Sequence, residues 1–171
     1  MKKETKKQLL IGAALVLELL FLLLYLNGRI DRLLDSDMSS EMILGQLLAR
    51  NNGILSDQWY YSTELRVLNT QLIYALFFRL SSNWHFVRMA STLVLWCVLI
   101  ASYGVLCRVM GCKKSFGVTA LLLAAPVSES YFRFVLAGVY YVPHLAIAFA
   151  ALALNEAYFK AKPDRKKFWL V

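Results

Sequence analysis

Leu33-Leu34-Asp35-Ser36-Asp37-Met38-Ser39-Ser40-Glu41 puts three carboxylates within seven residues, directly after a long apolar segment and directly before an amphipathic run. An acidic cluster where a chain leaves a membrane has two readings. It is a set of helix caps lying in wet headgroups, or it is the polar half of an active site whose other half is a lipid-borne substrate. The segments on either side decide what kind of molecule carries it.

Hydrophobic residues make up 59% of the 171 and charged residues 18%, whereas soluble domains carry charge on about a quarter of their residues. The chain reads as an all-α integral membrane protein, with room for about four or five spans of roughly 20 residues and an external loop. Its net charge of +8 is an orientation signal. All ten lysines fall in three clusters, Lys2 to Lys7, Lys113 with Lys114, and Lys160 to Lys167, which alternate with apolar segments so that all can face the cytoplasm. The segments assigned outside hold seven arginines and seven carboxylates, so the charge does not point to nucleic acid. Cys97, Cys107 and Cys112 lack zinc-site spacing and read as buried, inert thiols.

Four spans are expected, over residues 9–26, 86–107, 116–131 and 138–159, with the N-terminus inside and an external loop over 27–84. The 18-residue apolar core Leu9 to Leu26 is long for a signal peptide, and Asn27-Gly28-Arg29 offers no small-x-small cleavage site. Glu18 lies in the middle of that span, where an ionisable group costs on the order of 3 kcal/mol and faces protein or water. Glu129 and Arg133 are expected to pair at the outer end of the third span. Phe168-Trp169-Leu170-Val171 reads as the opening of a fifth span, and the chain as a truncated one.

Two surface helices are expected in the external loop. Met38 to Arg50 carries Ile43, Leu44, Leu47 and Leu48 on one face and is terminated by Asn51-Asn52-Gly53. Glu64 to Leu80 carries Leu65, Leu68, Leu72, Leu76 and Leu80 at helical spacing. Were it a span, Arg108, Lys113 and Lys114 would lie outside, against the charge rule. Both are placed at headgroup depth, beside the interfacial aromatics Trp59, Tyr60 and Tyr61.

This topology brings Asp35, Asp37, Glu41, Glu64, Arg88, Glu129, Arg133 and His144 to one face. Asp37 is placed to cap the first surface helix, with Glu41 favourable in the same turn; Asp35 has no such structural duty and is read as functional. Glu64 either caps the second surface helix or serves chemistry. Arg88 either snorkels to headgroups or binds a lipid phosphate. His85 reads as interfacial, and His144, after Pro143, as a polar group at membrane depth.

The order of short basic tail, one span, D-x-D-type motif, two surface helices, Arg-led second span and Pro-containing third span resembles the N-terminal part of GT-C glycosyltransferases. The likeness is to the protein O-mannosyltransferase and aminoarabinose transferase group. Leu80 to Ser91 resembles that group's turn and second helix, and Leu122 to Pro126 its third. The resemblance implies transfer of a sugar from a polyprenyl-phosphate donor to an acceptor outside the bacterial cytoplasmic membrane. By it, Asp35 or Asp37 is the base, or the two hold a divalent cation (Mg or Mn) through oxygen ligands. Glu64 stands near the family's second acidic residue. Arg88, Arg133, His144 and Glu41 fall to substrate and phosphate binding. Three departures are visible: Asp37 is followed by Met38 where the family often has Asp-Glu, Leu65-Arg66 replaces a Lys-Pro, and no carboxylate lies around Tyr140 to His144. The rival reading is a non-enzymatic multi-pass protein.

Overall fold

The computed structural model describes residues 3–61 and 69–161, and among them every regular element is helical. The elements are α1 (Lys3–Asn27), α2 (Ser36–Arg50), α3 (Thr70–Phe78), α4 (Trp84–Met110), α5 (Phe116–Ala124), α6 (Glu129–Tyr131), a π-helical turn (Phe132–Ala137) and α7 (Val142–Ala161). Glu64, the first turns expected of the second surface helix, and the expected fifth span lie outside the described residues.

Among the described residues, three helices are long and apolar enough to cross a membrane: α1 from Lys6 to Asn27, α4 and α7. A fourth crossing exists only if α5 and the segment Glu129–Ala137 count as one, and these meet at 87°. The expected third span over 116–131 is therefore broken after Ala124. Pro126 is the cause, because it forces Ala125 out of the helical region, to φ −72° and ψ 136°. The Tyr131 hydroxyl donates to the freed Leu123 carbonyl across the bend, at 2.6 Å. The last span starts at Val142 rather than 138, since Gly138 to Tyr141 forms a connection in which Val139 takes φ 55°.

The core is built along the α1, α4 and α7 stripes. Leu22 and Leu26 meet Leu95, Trp96 and Leu99, and Leu136 and Val142 close the cluster. Trp96 Nε1 donates to the Leu136 carbonyl at 2.9 Å, satisfying a group inside the π-helical turn. At its far end α4 stops at Gly111, φ 82°, where the Cys112 N–H returns to the Cys107 carbonyl. Of the cysteines only Cys107 is buried; Cys97 and Cys112 are exposed, so the expectation of three buried thiols fails for those two. Cys97 sits on an outward face of α4, since the core-facing stripe passes through Trp96 and Leu99.

α2 and α3 pack on each other, and Met42, Tyr74 and Val87 join them to the start of α4. α2 buries Leu44 and Leu48 of its expected stripe, whereas α3 turns its polar face toward α2. α2 turns Met38, Glu41, Met42, Leu44, Gly45 and Leu48 inward and leaves Ile43 47% exposed. α3 buries Thr70, Gln71, Tyr74 and Ala75, while Leu76 and Leu80 stay exposed. Gly45 decides this, because a Cβ there would lie 2.7 Å from Tyr74 Cβ and 3.1 Å from the Gln71 carbonyl. Without one, the two backbones approach along the polar face of α3.

Candidate functional site

The acidic stretch folds as the start of α2, and the capping residue is Asp35 rather than Asp37. Asp35 has extended backbone, φ −102°, and its Oδ1 accepts from the Met38 N–H at 2.9 Å. Asp37 lies one residue inside the first turn and is exposed. The physical reason is that the cap must be the last residue outside helical geometry, and the helix begins at Ser36, two residues before the hydrophobic run.

The same Oδ1 accepts a second bond, from the Tyr140 hydroxyl at 2.6 Å. Partial burial alone would raise the Asp35 carboxyl. The Met38 N–H, the Tyr140 hydroxyl and the positive charge of Arg133 outweigh it and hold the group below the usual aspartate range. Tyr140 responds oppositely: burial, then its bond to Asp35 and the charges of Asp35, Asp37 and Glu41, hold its hydroxyl firmly protonated.

Arg88 occupies the adjoining volume. It is 2% exposed, and its Nη2 contacts Met38 Sδ at 2.6 Å, while Nε and Nη1 have no hydrogen-bond partner among the described residues. A thioether is a weak acceptor, so the guanidinium is buried almost unanswered. Ser91 and Thr92, three and four residues on and hence on the same helix face, are fully buried with unmatched hydroxyls. Tyr74 stands in the field of this cluster. Burial raises its hydroxyl, Arg88 opposes that, and Glu41 and Asp35 reinforce it.

Glu41 is 3% exposed and accepts from Asn69 Nδ2 at 3.3 Å; Asn69 in turn caps α3 through the Thr70 N–H. This carboxylate ties α2 to α3. His85 bridges Asp31 Oδ2 (2.9 Å) and Asn27 Oδ1 (3.0 Å), joining the end of α1 to the start of α4.

Among the described residues Glu129 and Arg133 form no ion pair. Their i,i+4 spacing would align them on an α-helix, but the π-helical turn begins at Phe132 and rotates Arg133 off that face. His144 is exposed in the first turn of α7, its ring 6.3 Å from that of Tyr141, and makes no hydrogen bond to the cluster. Thus Asp35, Arg88 and Glu41 share one locus, Arg133 acts on it through its charge, Asp37 lies at its edge and His144 stands apart.

Asp35 and Asp37 are two carboxylates in different surroundings, one already accepting two bonds and the other exposed. No group of three or more metal-ligating side chains occurs among the described residues. Among the described residues, which leave out Glu64, the positive charge around Asp35 comes from Arg88 and Arg133.

Tyr140, Met38 and Tyr74 are the members that sequence reasoning missed. Tyr140 is 105 residues from Asp35 and reaches it through the π-helical turn and the left-handed Val139, features with no local signature. No family model matches the chain, and no curated protein or solved structure matches it.

Proposed function

We propose that this chain works as part of a membrane glycosyltransferase that moves a sugar from a polyprenyl-phosphate donor to an acceptor at the outer face of the bacterial cytoplasmic membrane. α2 and α3 then lie at headgroup depth, and the exposed Leu76 of α3, with Leu80 just beyond it, faces lipid. The observation that carries the reading is that Met38 touches both a held carboxylate, Asp35, and a buried, almost unpartnered arginine, Arg88. Transfer needs both. The acceptor oxygen bonds to the anomeric carbon, its proton passes to Asp35, and the carbon–oxygen bond to phosphate breaks with its electron pair staying on the phosphate. Arg88 Nε and Nη1 meet that charge in a water-poor setting, where it is worth most. The phosphate displaces the flexible Met38 side chain from the guanidinium. A low proton affinity keeps Asp35 ionised, at some loss of driving force as a base.

One observation favours the rival, a non-enzymatic multi-pass protein: the cap and Tyr140 by themselves account for Asp35 Oδ1. Asp35→Asn separates the two, because asparagine caps as well as aspartate and still accepts from Met38 and Tyr140. In the full-length protein this substitution is expected to leave folding and polyprenyl-phosphate binding intact and to reduce sugar transfer by at least a hundredfold. Wild-type protein that binds no polyprenyl phosphate, or a variant that transfers normally, refutes the assignment.

A further inference from the structure

At the end of the bundle opposite Asp35, α1, α4 and α5 surround a groove of about 700 Å³, a volume typical of small-molecule sites. Its walls are apolar, including Leu15, Leu19, Ile100 and Val105, and its rim carries Arg108 and Lys113. We infer that this groove holds an acyl chain of an anionic phospholipid, with the lipid phosphate against Arg108 and Lys113.

Three features converge on that occupant. The groove runs along α4 from Cys97 to Arg108, a rise of about 16 Å at 1.5 Å per residue. That is about half the roughly 30 Å hydrocarbon core, the depth of one leaflet. Chemistry changes along the groove in the order it changes along a lipid, apolar from Cys97 to Val105 and cationic at the helix end. No carboxylate lines it, and neither rim cation, both exposed, has a side-chain hydrogen bond or ion pair among the described residues. The cations therefore await an anion that enters with an apolar tail, which is how basic pockets between spans hold acidic headgroups. This inference rests on α1 and α4 crossing a membrane, and is independent of the chemistry proposed at Asp35.

The test uses the full chain in bilayer discs of equal phosphatidylglycerol and phosphatidylcholine, with retained lipids counted by native mass spectrometry. One retained phosphatidylglycerol per chain is expected, favoured by about thirtyfold from the usual attraction per basic residue at two cations. The double substitution Arg108→Gln with Lys113→Gln, at exposed positions that leave folding alone, brings the preference to about unity. Ala101→Phe, which fills the groove, lowers retention of both lipids. Lys6 and Lys7 stand at the same end of the bundle, where Ile11 meets Gly117, but outside the groove; Lys6→Gln with Lys7→Gln leaves the preference unchanged. Absence of preference in the wild type overturns the proposal, as does equal loss in the two double variants or a second copy of the chain retained in place of lipid.

Discussion

Replacing Arg88 by methionine should not destabilise this protein, although it removes one of its largest buried side chains. Arg88 is 2% exposed and has two nitrogens without partners, each costing about 1–3 kcal/mol in a buried setting. Against this stand a thioether contact and the attraction of the Asp35 charge, worth about 1–4 kcal/mol at the effective dielectric of a partly buried site. Asp35 does not depend on Arg88, since the Met38 N–H and Tyr140 satisfy it. Methionine fills irregular volume well, so the expected change lies between neutral and about 3 kcal/mol more stable, in line with apolar replacement of other buried charges. The assay is reversible unfolding of wild type, Arg88→Met and Arg88→Lys in mixed micelles, with polyprenyl-phosphate binding measured alongside. Arg88→Met is expected to lose binding while holding or gaining stability. A loss of about 3 kcal/mol or more, the signature of breaking a satisfied buried pair, would refute the reasoning.

Gly45→Ala is expected to cost about 1–3 kcal/mol, because the new methyl meets the α3 backbone and Tyr74 Cβ; unchanged stability in the same assay removes the close α2–α3 crossing. Asp35 binds its proton less readily in the folded state than in the unfolded one. Its contribution is therefore complete above the ordinary aspartate value of about 3.9 and is lost as pH falls through the lower folded value. The acid limb of the stability profile should flatten in Asp35→Asn, and an identical limb counts against the bond network. Tyr140 and Tyr74 have the opposite sign: their raised values give stability that is complete below about pH 10 and declines above it. Tyr140→Phe should reduce that alkaline loss, as read by near-ultraviolet circular dichroism.

Much of the fold is legible because the length and apolarity that a membrane crossing needs are written in local composition. The apolar lengths of α1, α4 and α7 need no knowledge of partners. The α2 stop at Asn51-Asn52-Gly53 is likewise local chemistry, with Asn52 at φ 49°. Pro126 announces a break without giving its angle. The cap was misplaced by two residues because Asp35 and Asp37 are equally good capping residues, and only the backbone at Ser36 chooses between them.

The sequence by itself determined that this chain is helical and apolar enough to span a membrane several times. Tertiary structure decided which polar groups meet. Leucine periodicity marked the second surface helix but named no partner for it; a single glycine on α2 lets Gln71 and Tyr74 of α3 pack against it. A π-helical turn and one left-handed valine carried Tyr140 to Asp35 across 105 residues. Close packing at Gly45 and the bonds to Asp35 choose these contacts, and both depend on residues far apart in the chain.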